Sequence, residues 1–405
     1  MSIITLRPDI DWVGCVDSTV RDFHGYDTPR GTTYNAYLVR DARTALVDAV
    51  RAEYGGQLLQ QVAAALEAGS GGDSRTLDYV ICNHAEPDHA GALPEVLKAY
   101  PQAELVCDAK CRDALSCHFD TSAWKFHLVA SGDAIPLGRR TLQFYETPMV
   151  HWPESMFTYV PEEGLLFSMD AFGQHYGTSS RFDDEVPPQM AMDEAKTYYA
   201  NIVMPYGKSV TACIAKLAPL RIDMIAPSHG VIWRGDAAKI VEAYRGWAVC
   251  RARAKVVVLF DTMWESTARM AGAIAEGASQ PGIETQLMSM RRTSLTRIAA
   301  EVLDAGAVAM GSPALNRGPM PAAAAALSYL HGLRPVDKAA VAFGSYGWGA
   351  GGADALEEGL RNMGWEMLSA PIKVKYRPTP EVLEQCRAIG VRLAEAARCR
   401  AAATR

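Results

Sequence analysis

The run Asn83-His84-Ala85-Glu86-Pro87-Asp88-His89 places four candidate metal ligands, His84, Glu86, Asp88 and His89, within six residues. It follows the apolar run Leu77-Asp78-Tyr79-Val80-Ile81-Cys82, and a strand ending in a ligand-dense turn directs several side chains at one point. His151, Asp170 and His229 follow at wide spacing, each just after another strand-like run. Together these imidazoles and carboxylates could hold two metal ions, with one carboxylate shared between them. Ligand identity narrows the metal. A dizinc hydrolase site would read His-x-His-x-Asp-His, and here Glu86 stands at the second position. A carboxylate in place of an imidazole makes that half-site harder and more anionic, which favours iron and its ferric state. Asp170 is the candidate bridge, because an anionic carboxylate spanning two cations offsets their repulsion. Open coordination positions would then admit a small diatomic between the metals. Any one of these histidines alone reads as well as a capping or buried-network residue; the set of seven does not.

A second constellation lies in the last third of the chain. Thr262, Met263, Trp264, Glu265, Ser266 and Thr267 precede a predicted helix, and hydroxyls with backbone N–H groups at a helix N-terminus suit a phosphate. Ser312, Pro313, Ala314, Leu315 and Asn316 form a second loop. In the third, Ser345, Tyr346, Gly347, Trp348 and Gly349 combine stacking aromatics with backbone freedom, which is what an isoalloxazine ring needs. Each loop alone is only a turn. Three at the carboxyl ends of predicted strands of one five-strand pattern point to FMN.

The elements that must position these residues fall into two styles. Up to about residue 250 the chain reads as many short strands with helices at the edges, an α+β sandwich. Thr32–Val39 and Arg43–Asp48 are predicted strands, and Gly55–Ala68 is a helix closed by Gly69 and a Ser/Gly-rich loop. Further strands are predicted near 104–107, 126–129, 141–147, 157–160, 165–168 and 224–226, with helices over 193–204 and 209–218. A helical piece over 236–249 is the expected joint. From Arg253 strict β/α alternation begins, and Lys255–Phe260 is a continuous apolar run of the kind buried on both faces of a parallel sheet. Five strands and five helices in this order predict a flavodoxin-like doubly wound α/β sheet. The expected domains are therefore 1–250 and 251–405.

Composition excludes several classes. A net charge of −6 over 405 residues, without a basic cluster carrying interleaved aromatics, gives no support for nucleic-acid binding. No run of eighteen apolar residues occurs and no signal-peptide pattern is read at the N-terminus, so a cytoplasmic protein away from the membrane is expected. Nine scattered cysteines fit reduced thiols better than a disulfide framework. Cys107-x3-Cys111-x5-Cys117-His118 suits a strand and adjoining helix better than a zinc site, because no paired Cys-x-x-Cys supports it.

The ligand set, with Arg21-Asp22-Phe23-His24-Gly25-Tyr26, His151-Trp152-Pro153-Glu154-Ser155-Met156 and Ser168-Met169-Asp170-Ala171-Phe172-Gly173, resembles the flavodiiron proteins (A-type flavoproteins) over essentially the whole chain. The resemblance implies a metallo-β-lactamase-like αββα domain ahead of the flavodoxin-like one. It implies one iron held by His84, Glu86 and His151, another by Asp88, His89 and His229, and Asp170 as the bridge. His24, His175 and Tyr198 would lie around the open face. The implied activity is reduction of O2 to water or of nitric oxide to nitrous oxide, with FMN passing electrons to two non-haem irons. A rubredoxin-like or flavin-based donor is implied, as is a head-to-tail homodimer or a dimer of dimers. No Cys-x-x-Cys pair closes the chain, so a fused rubredoxin is not expected and the electrons are expected from a separate protein. One departure stands out: Glu265 occupies a position where the family's phosphate loop often has glycine. Two other readings compete, a dizinc hydrolase with an accessory flavodoxin domain, and an electron-transfer or gas-sensing module without turnover.

Overall fold

Strands whose every residue is apolar need cover on both faces, and both parts of the chain meet that need with layers. The computed structural model describes residues 4–68 and 76–403; the stop predicted at Gly69 and the loop after it lie outside the described residues. The chain divides into two units, Met1–Tyr198 with Lys208–Arg245, and Tyr199–Gly207 with Gly246–Arg405.

In the first unit a seven-stranded sheet runs in the order Ile4–Arg7, Ile10–Trp12, Tyr37–Val39, Ala45–Val47, Tyr79–Ile81, Glu104–Cys107, Phe126–Leu128. A second sheet has the order Ala134–Pro136, Thr141–Glu146, Met156–Val160, Leu165–Met169, Met224–Pro227. Side chains alternate between two cores with the period of the pleat. Tyr37, Val39, Val47, Ile81 and Val106 join Phe144, Met156 and Phe167 between the sheets. Leu38, Leu46, Val80 and Leu105 point the other way, onto Leu58, Val62, Leu93 and Val96 of the helices Gly55–Ala68 and Leu93–Ala99. Each such buried side chain contributes about 1.5–3 kcal/mol by leaving water.

Two expected elements differ. The single strand over 32–39 is two, Thr32–Tyr34 and Tyr37–Val39, in different sheets. Asn35 breaks the run: its Nδ2 donates to the carbonyls of Pro227 (2.8 Å) and Gly230 (3.0 Å), and its Oδ1 accepts from Trp12 Nε1 (2.8 Å). The helix predicted over 193–204 begins earlier, at Pro188, and its α-helical part ends at Tyr198. A π-turn over Tyr199–Val203 and a short 3-10 turn then lead into the helix Gly207–Leu217.

In the second unit five parallel strands take the order Glu284–Ser289, Arg253–Phe260, Ala305–Gly311, Ala339–Tyr346, Ile372–Lys375, and Glu366–Met367 pairs with the start of the fourth. This is a doubly wound order in which the chain crosses over beside Arg253–Phe260. Val256 and Val258 pack under the helices Ser266–Ala278 and Pro380–Ala403, while Val257 and Leu259 meet Leu295–Leu303, Pro321–Leu333 and Gly351–Asn362. Among the described residues no helix is long and apolar enough to cross a membrane.

Candidate metal centre and flavin loops

The ligand turn is pinned from behind before it presents anything. Asp48, at the end of the strand Ala45–Val47, accepts from the backbone N–H of Asn83 (2.8 Å) and from its Nδ2 (3.0 Å). Thr158 Oγ1 donates to Asn83 Oδ1 at 2.7 Å. Pro87 then opens a one-turn helix, Pro87–Ala90, that carries Asp88 and His89, with Glu86 at its N-cap. Proline suits this first position because its missing N–H would have no helical partner there. His151 lies in the loop before Met156–Val160, Asp170 directly after Leu165–Met169, and His229 just beyond Met224–Pro227. Strand ends of both sheets thus meet at one edge.

The seven candidate ligands form two clusters, His84, Glu86, His151 and Asp170 in one and Asp88, His89 and His229 in the other. Asp170 faces both. Its Oδ2 lies 3.0 Å from His151 Nε2 and 3.4 Å from His84 Nε2, and its Oδ1 lies 3.0 Å from His89 Nε2 and 3.4 Å from His229 Nε2. Glu86 Oε2 approaches His84 Nε2 (3.1 Å) and His151 Nε2 (3.3 Å), while Asp88 Oδ2 approaches His229 Nε2 (3.2 Å). His24 Nε2 sits 3.2 Å from Glu86 Oε1 at the rim of a cleft of about 580 Å³ that also touches Phe23, Asp88 and His118. His175 is buried, with Nδ1 2.9 Å from Thr32 Oγ1, and its ring centre lies 5.1 Å from that of His229. The Tyr198 ring lies 4.9 Å from His175 and 5.9 Å from His229.

In the second unit the three predicted loops cluster at the carboxyl ends of the strands. Thr267 Oγ1 lies 2.9 Å from Ser345 Oγ, the Ala314 N–H donates to the Ser345 carbonyl (2.8 Å), and Ser312 Oγ accepts from the Met320 N–H (2.8 Å). Gly344 permits this closeness, because a Cβ there would meet the Ser312 carbonyl oxygen at 2.0 Å. Trp264 and Trp348 are 90% and 96% exposed, so each has a free aromatic face for a planar ring. Glu265 adopts left-handed backbone (φ 63) at the start of the helix Ser266–Ala278, with its side chain in solvent.

Comparison with known proteins accounts for both units. Residues 32–230 match the ODP family beta lactamase model, and residues 258–390 match the flavodoxin model. A nitric oxide reductase of Moorella thermoacetica is 43% identical over 96% of this chain and 98% of its own length. The rubredoxin-oxygen oxidoreductase of Megalodesulfovibrio gigas is 40% identical over 96% and 97%. The crystal structure of the flavodiiron protein from Giardia intestinalis superposes with a TM-score of 0.95 at 35% identity, covering 100% of this chain and 98% of that one. This chain belongs to the flavodiiron proteins.

The donor set of this flavodiiron protein fits a pair of cations. Asp88 Oδ1, Asp170 Oδ1 and both ring nitrogens of His89 are buried without a hydrogen-bond partner among the described residues, although ion-pair distances are short. Lone pairs converge there without the alignment that hydrogen bonds need, as metal ligation requires. The electrostatics agree. Burial would keep His84 and His151 neutral, yet Glu154 and Glu86 hold His84 above its ordinary range, and Asp170 and Glu86 bring His151 up to about 10. Burial would raise Glu86 and Asp170, but the surrounding imidazoles hold both well below the usual carboxylate range. A site that draws protons onto its imidazoles so strongly has anionic charge to spare for cations. Burial, and then His229, keep His175 neutral, while burial and Asp170 keep the Tyr198 phenol protonated.

Three residues that support the ligands are not singled out by sequence pattern. Glu154 Oε1 lies 2.7 Å from His84 Nδ1 and accepts from the Ala85 N–H (3.2 Å). The Thr33 carbonyl lies 2.7 Å from His229 Nδ1, and Asp48 holds Asn83. The one trace in the sequence is the place of Glu154, three residues after His151. The Cys107–His118 motif forms no cluster of its own: Cys107 and Cys111 are buried, and Cys117 and His118 face solvent.

Proposed function

We propose that this flavodiiron protein reduces O2 to water or nitric oxide to nitrous oxide. The observation that carries the reading is Asp170, whose two oxygens each face one ligand cluster. In this reading His84, Glu86 and His151 hold one iron, Asp88, His89 and His229 hold the other, and Asp170 bridges them. FMN is held at its phosphate by the loop of Thr262 to Thr267, through hydroxyls and backbone N–H groups and with the Glu265 carboxylate turned to solvent, and by the loops of Ser312 to Asn316 and Ser345 to Gly349 at its ring. When bound, FMN takes electrons singly or in pairs, and two irons store and deliver two more to a diatomic.

The chain's own residues position, shield and protonate. Asp48 and Asn83 keep the ligand turn rigid, and the Trp152 ring lies edge-on against His84, 4.9 Å between centres. His24 Nε2, at the cleft rim beside Glu86 Oε1, can pass protons between solvent and the cleft. Phe23 packs against both His24 and His175 (4.6 and 4.7 Å between ring centres), and His175 with Tyr198 offers a neutral imidazole and phenol beside His229. The dizinc hydrolase is not favoured, since Glu86 brings a carboxylate to within 3.1–3.3 Å of two ring nitrogens where that site would have an imidazole.

A head-to-tail homodimer, alone or as a dimer of dimers, would cover the exposed Trp264, Trp348 and Met263 at the flavin edge. A small redox protein such as rubredoxin, or a flavin-based reductase, donates the electrons. The nine free thiols suit the reducing cytoplasm.

Anaerobic reduction followed by mixing with O2, and separately with nitric oxide, tests the function. Flavin absorbance and gas consumption are followed together. Rapid reoxidation by one gas, with stoichiometric water or nitrous oxide, is expected. Slow reoxidation by both, in protein loaded with iron and FMN, would favour the sensor instead.

A further inference from the structure

The imidazoles of the metal centre differ in what stands behind them. His84 Nδ1 faces a carboxylate, Glu154 Oε1, at 2.7 Å, with both side chains buried. His229 Nδ1 faces a neutral carbonyl, that of Thr33, at the same 2.7 Å. Neither nitrogen of His89 has a hydrogen-bond partner among the described residues. The two clusters are otherwise matched, each with one carboxylate of its own and one oxygen of Asp170.

A carboxylate acceptor polarises an Nδ1–H bond more than a carbonyl does, because the acceptor carries full charge. The ring's other nitrogen becomes more basic and gives more electron density to a metal. Burial strengthens the effect, since little water remains to screen Glu154. Counting the carboxylates in direct contact, the cluster of His84 has three, Glu86, Asp170 and Glu154, and the cluster of His229 has two, Asp88 and Asp170; the buried Asp48 acts on His84 and His89 alike and does not distinguish the clusters. More negative charge around a cation favours its higher oxidation state.

We propose that Glu154 makes the two iron positions electronically unequal, so that the position of His84, Glu86 and His151 holds ferric iron to a lower potential than that of Asp88, His89 and His229. The inference rests on the diiron reading above. Each position passes between ferric and ferrous by gaining one electron. The first electron therefore goes to the position of Asp88, His89 and His229, and the second to that of His84. Glu154 acts through His84 and is a positioning residue whose charge matters as well as its shape.

Glu154→Gln separates the two contributions, because the amide oxygen still accepts the Nδ1–H bond while the charge is gone. The experiment is an anaerobic redox titration of the iron- and FMN-loaded protein, followed by electron paramagnetic resonance of the one-electron-reduced centre. Wild type is expected to show two resolved one-electron iron steps. In Glu154→Gln only the lower step is expected to rise. The equilibrium constant that favours the one-electron-reduced centre should then fall about tenfold, which is about 59 mV between the couples. Glu154→Asp, which keeps the charge, should retain the separation. An unresolved two-electron step in wild type overturns the inference without any variant. So does a Glu154→Gln protein with two irons and unchanged steps, or with only the higher step moved. Wild-type protein that binds no iron overturns the diiron reading itself, and this inference with it.

Discussion

Asp170 Oδ2 lies 3.0 Å from His151 Nε2, although the two residues come from separate loops nineteen positions apart. The other oxygen of Asp170 lies 3.0 Å from His89 Nε2, so one side chain joins ligands from both sheets. Replacing a shared carboxylate should therefore affect both metals, while replacing a ligand of one cluster should affect one.

His84→Asn and Asp170→Asn distinguish these cases. The first is expected to lower iron content from two per chain to about one, and the second to lower it further, because the bridging charge is lost. Iron analysis with flavin absorbance checks both. FMN content should stay at the wild-type level, since the flavin loops belong to the other unit. Full iron content and activity in His84→Asn would sink the ligand assignment.

Glu265 holds a left-handed backbone that side chains usually avoid at a cost of about 1–2 kcal/mol, which is the physical reason a glycine suits this position. Glu265→Gly relieves that strain but gives the unfolded chain more freedom, so the melting temperature should change little. FMN affinity should rise about two- to fivefold at low salt, and the gain should shrink at high salt as screening weakens the carboxylate–phosphate repulsion. Glu265→Gln, which removes only the charge, should reproduce that gain. Titration of the apoprotein with FMN at two ionic strengths measures it.

Trp348, almost fully exposed, is the side chain with most to gain from a bound ring. Trp348→Ala is expected to weaken FMN binding about tenfold, near 1.4 kcal/mol, in line with a lost stacking contact. Flavin fluorescence during titration reads the change, and unaltered affinity would move the ring-stacking role to another side chain.

What the sequence makes legible depends on range. The seven candidate ligands stand out because their types are costly to bury without a purpose and four of them fall within six residues. The parallel sheet is equally plain, since Val256–Phe260, Ala307–Met310 and Ala339–Phe343 are continuous apolar runs and helices alternate with strands throughout. Glu154 gives no such signal. Its partner His84 is seventy residues away, and only the fold brings the two to 2.7 Å. Asn35 misleads for the same reason: within a β-branched run it looks tolerable, and its contacts with Pro227 and Gly230 that split the strand are tertiary. The left-handed turn at Glu265 is invisible to propensity, because the side chain is one that helices accept.

Lys338 offers a test in the second unit that is independent of either cofactor. It is fully buried just before the strand Ala339–Tyr346, where its Nζ donates to the carbonyls of Leu303 (2.9 Å) and Cys250 (3.4 Å). Burial pulls its ammonium down to about 8 from the ordinary 10.5. Below pH 8 the group is charged in both the folded and the unfolded chain, so the folded state carries the full desolvation penalty. Between pH 8 and 10.5 the unfolded chain binds more protons than the folded one, and stability rises with pH. The shift corresponds to about 3 kcal/mol, of which about 1 kcal/mol is offset in Lys338→Met by the lost bond to Leu303. That variant should therefore be more stable than wild type at pH 7 by about 2 kcal/mol, and the advantage should vanish or reverse by pH 10. Urea unfolding of both proteins from pH 7 to pH 10 gives the difference, in which all other titrating groups cancel. A constant difference across that range would mean that Lys338 stays charged when buried, held by the carbonyls it caps.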